Sequence, residues 1–296
     1  MSDTQTLTST CTSAKLKNDK SNYWVPALYF MDPKNGQFEA VELSYMNVYY
    51  FFDSTTDHIM AFQPGHRMFV GNSSLRQPPA TGGRSIIDIA EGDPQPIQWT
   101  CPRHNTRTEL YSVLSDGMHG LGIQDPMNAG SGVGFPDKQC DGTASPLRAD
   151  IHFPSCYDPR AGLRSYQNNM RYPTNGNCPR DWIHTPHLFY EVYWDTQKFS
   201  DRWIPGRGSQ PFVLANGDST GYSLHGDFIS GWDPEALQQI IDNCDTGTSG
   251  MDMCHVPGGE VSDYSSSCTL QSPVQENMRG PMDNLPGDNP IHHWGI

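Results

Sequence analysis

The densest set of reactive side chains lies in GDSTGYSLHGDFISGWD, residues 217–233. It brings Asp218, Tyr222, His225, Asp227 and Asp233 together among Gly217, Gly221, Gly226 and Gly231. Glycine lets a backbone turn sharply or approach a ligand closely. His225 and Asp227 stand two apart, so on an extended strand they share one face. That placement suits an acid/base pair or two ligands of one ion. A hydrogen bond between them would raise the imidazole pKa. The expectation is that Asp218, Tyr222, His225 and Asp227 line one concave surface, with Trp232 or Tyr190 nearby. The plainer alternative is that these Asp and His side chains cap turns and bond to backbone.

A second set is HTPHLFYEVYWD, residues 184–195. Glu191 falls in a strand pattern with Phe189, Tyr193 and Asp195 on its own face. A carboxyl beside aromatic rings is harder to ionise and can protonate a glycosidic oxygen. Equally, it can simply be satisfied by a neighbouring strand. Cys156, in FPSCYDPR, would need a cationic neighbour to act as a nucleophile. His292 and His293 are adjacent and would point to opposite sides of an extended chain, which makes joint chelation awkward. No HExxH, GxSxG or P-loop pattern occurs. No metal or other cofactor is expected.

Stepping outward from these residues, short apolar or alternating runs recur between turn signals: 23–30, 38–43, 47–52, 67–71, 149–153, 188–194 and 211–215. Their β-branched and aromatic content and their Gly, Pro, Asn or Asp boundaries are strand signatures. Asp233-Pro234-Glu235 supplies a cap, a first-turn proline and an early acid, and Leu237, Ile240 and Ile241 repeat at helical spacing. Residues 115–147 read as irregular. The pattern predicts a mainly β protein: a single antiparallel β-sandwich or jelly-roll-like domain over 1–268, with long loops and one prominent helix near 234–243. Residues 269–296 read as an extended tail packed on it.

The eight cysteines are Cys11, Cys101, Cys140, Cys156, Cys178, Cys244, Cys254 and Cys268. The count is even and CxxC is absent, which favours four disulfides over a zinc knuckle or a redox pair. Cys244 and Cys254 make the best local pair, and Cys156 is read as a disulfide half. Disulfides imply an oxidising compartment, so the chain is expected to be secreted. Residues 1–10 are polar and do not read as a signal peptide, so its leader is expected to be absent from this sequence. Asn72-Ser73-Ser74 is a glycosylation sequon. A net charge of −14 disfavours nucleic acid as a partner, and no apolar stretch is long enough to span a membrane. The oligomeric state is not legible.

Several segments together resemble the fungal secreted DUF1996 family, often attached to WSC carbohydrate-binding domains: CTSAKLKNDKSNYWVPALYF, PGHRMFVG, LRADIHFPSCYD, LFYEVYWD, GDSTGYSLHGDFISGWDPEALQQIIDNC and LPGDNPI. The resemblance runs in family order over nearly the whole chain. The chain departs from the family pattern in its histidines. The family's opening HxH segment is not in this sequence, Tyr166 and Asn169 stand where histidines are expected, and the histidine after the Cys-Pro pair is missing from CPRDW. His225 remains. The resemblance implies an extracellular, carbohydrate-interacting protein of the fungal cell wall or its surroundings, whose partner is a polysaccharide or cell-wall glycan. Its binding groups would be Tyr222, Trp232, Tyr190 and Asp233. A rival reading is a glycan hydrolase or lyase using Asp218, His225, Asp227 and Glu191. A third is a structural or self-assembling surface protein.

Overall fold

A computed structural model describes residues 9–53, 56–103, 111, 115–118, 122–127, 130–142, 147–247, 249–263, 268–269 and 280–292. The strands among them are β1 (Asn22–Trp24), β2 (Leu28–Met31), β3 (Phe38–Ala40), β4 (Leu43–Phe51), β5 (Arg67–Gly71), β6 (Ile97–Thr100), β7 (Ile123–Gln124) and β8 (Ser131–Val133). They continue as β9 (Leu147–His152), β10 (Cys156–Tyr157), β11 (Met170–Arg171), β12 (Ile183–His184), β13 (His187–Trp194), β14 (Phe212–Leu214) and β15 (His225–Ile229). The fold is mainly β, and the paired strands of its sheets are antiparallel.

A six-stranded sheet in the order β4-β13-β9-β6-β8-β7 forms one wall. Along β13, Leu188, Tyr190, Val192 and Trp194 are buried on the inner face. His187, Phe189, Glu191 and Tyr193 alternate with them on the outer face, as strand geometry requires. A three-stranded sheet, β1-β15-β5, packs over the inner face. Phe228 is buried there, a Cβ at Gly226 would lie 3.0 Å from the Phe153 ring, and the Tyr190 hydroxyl donates to the Asp227 carbonyl at 3.0 Å. The core between the sheets is aromatic, with Trp99, Trp194, Tyr190, Phe153 and Phe228 all buried. Removing each from water contributes about 1.5–3 kcal/mol.

The apolar run at 23–30 yields two strands because Pro26 offers no N–H to a ladder. β1 joins β15, whereas β2 joins β14 and β3 in a separate sheet. The helix α1 spans Pro234–Asn243, and the Asp233 side chain caps it by accepting from Ala236 N at 3.0 Å. Leu237 and Ile240 are its buried stripe.

All eight cysteines are paired: Cys11–Cys268, Cys101–Cys140, Cys156–Cys178 and Cys244–Cys254. The last closes the loop after α1 and contributes about 3 kcal/mol in the chain-entropy model. Of residues 115–147, the described part includes β7 and β8, so this region is not wholly irregular. In the C-terminal segment, Leu285 is buried against Tyr29, Phe38 and Val213. His293 and residues 270–279 lie outside the described residues.

Candidate functional site

The outward face of the β1-β15-β5 sheet is built from alternate residues of its three strands. In register, Trp24 and Phe69 stand on either side of Asp227, and Gly71 stands opposite His225. Gly71 has φ +98°, and a Cβ there would lie 2.5 Å from the Leu224 carbonyl, so the position requires glycine. His225 and Asp227 do share this face. The imidazole lies between two rings, 5.4 Å from Trp24 and 5.4 Å from Phe69 by centroid. Tyr166 extends the aromatic row, 6.3 Å beyond Phe69. Trp24 is 48% exposed and Tyr166 41%.

His225 and Asp227 are not joined by a hydrogen bond. His225 Nδ1 instead lies 2.7 Å from the Ser223 carbonyl, and a carbonyl can only accept. Nδ1 therefore carries a proton, and Nε2 is left with its lone pair in the neutral ring. The Asp227 carboxyl is held above the ordinary aspartate value by desolvation, against which His225 is a smaller, opposing influence. It has no hydrogen-bond partner among the described residues.

The other residues of the 217–233 block serve different ends. Asp218 is fully buried. Its Oδ1 accepts from Thr220 N at 2.8 Å and its Oδ2 from Ser223 N at 2.9 Å, with Arg76 Nε 4.0 Å away. It pins the turn that delivers β15, which is the backbone-bonding role weighed for it. Tyr222 is buried, donates to the Gly117 carbonyl, and lines a cavity described below. Trp232 is buried, with Nε1 donating to Tyr50 Oη at 2.9 Å. Tyr190 is a core residue behind Asp227, and Asp233 is the helix cap. The structure thus brings His225, itself buried, and the partly exposed Asp227 to one face of the sheet and places Asp218, Tyr222, Trp232 and Tyr190 in the interior.

Glu191 lies on the outer face of the six-stranded sheet, directly opposite Asn47 and Asp150. Its Oε1 is 3.0 Å from Arg148 Nη1, and its Oε2 accepts from Tyr49 at 2.9 Å and Tyr193 at 3.0 Å. Arg148 also reaches Asp150, with Nε 2.8 Å from Oδ1. Asp150 in turn accepts from Thr100. Burial raises the Asp150 carboxyl above its ordinary value, and Arg148 works against that. Toward the end of the same face, His152 Nδ1 and His187 Nε2 are 3.0 Å apart, and the His152 ring stacks on Phe189 at 4.1 Å. Desolvation pushes His152 down to about 3 and His187 down to about 4.

Asp57, Cys178 and His184 are the one trio of metal-ligating types gathered within 4.8 Å among the described residues. The Cys178 sulfur is bonded to Cys156, so it is no thiolate. Asp57 Oδ2 accepts from Cys178 N at 2.6 Å and lies 3.0 Å from His184 Nδ1. The trio is a hydrogen-bonded clamp. Asn72 of the sequon is exposed on the turn after β5, its Oδ1 accepting from Ser74 N at 2.9 Å.

The family model described as "Domain of unknown function (DUF1996)" matches residues 1–232. The chain belongs to the DUF1996 family. No curated protein and no solved structure matches it. The match ends at Trp232, just before α1, and includes β1 to β15. Tyr166 and Asn169, two of the positions where the resemblance leads one to expect histidine, both lie beside β5. Tyr166 joins the aromatic row. Asn169 is buried and donates through Nδ2 to the Arg67 carbonyl at 3.0 Å, which ties the 158–169 loop to the strand.

Trp24 and Phe69 were missed as site residues by sequence reasoning. The available signal was the alternation of Tyr23 and Trp24 within a strand-like run, but only strand pairing puts Trp24 next to Asp227. Arg148, Asp150 and His152 were also missed, although polar residues at every second position of 148–152 mark an outward strand face.

Proposed function

We propose that this DUF1996 protein is an extracellular glycan-binding protein that takes a sugar ring on the Trp24–His225–Phe69 face. Four disulfides suit an extracellular setting, and no helix among the described residues is long and apolar enough to cross a membrane. The observation that carries the reading is Trp24, half exposed beside a carboxylate that no group among the described residues satisfies. An indole face offers apolar area to the C–H face of a pyranose, and the carboxylate accepts from a sugar hydroxyl. The resemblance to wall-associated fungal proteins makes a cell-wall polysaccharide the preferred ligand class.

One observation favours a catalytic variant of this reading. His225 presents a free Nε2 beside a carboxyl that is harder than usual to ionise, a base and an acid on one face. Hydrolysis ordinarily needs two carboxylates about 5–5.5 or 6.5–9.5 Å apart. The outward residues of these three strands are Asn22, Trp24, Arg67, Phe69, Gly71, His225, Asp227 and Ile229, which supply one carboxylate. Binding is therefore the primary reading.

The test is an array of glucan, chitin and mannan oligosaccharides with product detection by mass spectrometry. Binding without products is expected. Trp24→Ala should weaken it by about 2 kcal/mol, roughly thirtyfold, the loss of one anchoring aromatic. Retained affinity in that variant, or silence across the array, would overturn the reading. Product formation that His225→Ala abolishes would replace it with the catalytic one.

A further inference from the structure

Between β5 and β6 lies a cavity of about 470 Å³, within the range of small-molecule sites. Trp99, Val133 and Tyr222, all buried, belong to its lining, together with Gly134 and Gly221. These glycines adopt φ +75° and +77°. A Cβ would lie 2.6 Å from the Tyr222 ring at the first and 2.8 Å from Trp99 Nε1 at the second. The walls are mostly apolar, and their polar groups are largely occupied within the protein. Tyr222 donates to Gly117, Tyr172 to the His152 carbonyl, and Gln95 Nε2 to the Ile97 carbonyl.

Arg171 differs. It is the one charged residue among the described residues that line the cavity, and it is exposed, although the chain carries a net charge of −14. Its guanidinium lies 5.8 Å from the centre of the Trp182 ring and makes no ion pair among the described residues. Asp116 and Asp218 act on Tyr222, so an anion is disfavoured at that end and favoured at Arg171.

We propose that this cavity binds a small anionic amphiphile, its apolar body against Trp99, Val133 and Tyr222 and its acid group at Arg171. The proposal does not rest on glycan binding at Trp24, although Phe69 borders both sites. It is tested on the full, oxidised chain by fluorescence titration with two probes of similar body, anionic 1-anilinonaphthalene-8-sulfonate and neutral N-phenyl-1-naphthylamine. The anionic probe should bind saturably, one per chain, and at least threefold more tightly than the neutral one. Near-UV circular dichroism should stay native, which separates this from dye uptake by a loosened fold. Arg171→Gln, a substitution of an exposed side chain, should erase the preference and leave the neutral probe unaffected. Leu75→Trp, which fills the cavity from its lining, should weaken both. Absence of saturable binding, equal affinity for the two probes in the wild type, or a preference that survives Arg171→Gln overturns the proposal.

Discussion

The two outward sheet faces carry similar side chains and treat them in opposite ways. On the six-stranded sheet, Glu191 and Asp150 share Arg148, Tyr49 and Tyr193 donate to Glu191, and Thr100 donates to Asp150. Its charges answer one another, although Tyr45, Tyr49 and Phe51 remain exposed. On the β1-β15-β5 sheet, Asp227 is desolvated by aromatic neighbours and satisfied by none of them. Acid plus aromatic therefore does not define a site. A closed network is what a fold needs, and an open acceptor held against its preference is what a ligand needs.

The contrast breaks most sharply at Arg148. Arg148→Ala leaves Asp150, which is buried, without its counter-charge, and strands Glu191 as well. A broken buried pair costs about 3 kcal/mol or more. The midpoint of thermal unfolding should fall by several degrees, with glycan affinity at the other face unchanged. Lost binding at an unchanged midpoint would exchange the roles of the two faces.

Acid sharpens the comparison. His66, His152 and His187 have an ordinary value of 6.5, lowered in the fold by burial to about 4, about 3 and about 4 respectively. The unfolded chain then binds protons that the folded chain refuses. Their stabilising effect is complete above pH 6.5 and is lost as the pH falls from there toward about 4 for His66 and His187 and about 3 for His152. The midpoint should decline through that window in a scan of unfolding against pH. His152→Phe keeps a ring on Phe189 and removes one titration, so the decline should become shallower by a few degrees at most. An unaltered slope would show that His152 titrates normally.

Local chemistry was legible in the sequence, and burial was not. The bounds of α1 follow from Asp233, Pro234 and the Leu237/Ile240 spacing, and Cys244–Cys254 closes a short loop, so each depends on residues close in the chain. The shared face of His225 and Asp227 follows from two-residue spacing on a strand. Asp218 lies in an equally glycine-rich stretch, yet it is buried, because its carboxylate bonds to amides two and five residues on. Glu191 read alone looks available. Its partner Arg148 is supplied by another strand, and no local pattern announces the pairing. β6 was not foreseen either. It follows Pro94 and Pro96, which have no N–H to give a ladder, and its strand character comes from pairing with β8 and β9.

The smallest expected effect is the most discriminating, because its sign is opposite to that of an ordinary substitution. Burial raises the folded-state pKa of Asp227 above the ordinary 3.8. The folded chain therefore holds this proton more tightly than the unfolded chain does. Any stabilisation from the group is complete below pH 3.8 and is lost as the pH rises through the raised folded value. Above that value the carboxylate is ionised in surroundings that disfavour it. Asp227→Asn keeps the shape and removes the charge, so the midpoint should rise slightly at pH 7, by less than Arg148→Ala lowers it. The gain should vanish near pH 3.5, where the wild-type carboxyl is protonated as well. The same substitution removes a charged acceptor from the sugar face, so glycan affinity should fall. Higher stability joined to weaker binding is the signature of a group kept for a ligand at the fold's expense. A lower midpoint at pH 7 would mean that Asp227 is as well satisfied as Glu191, and the difference between the two faces would disappear.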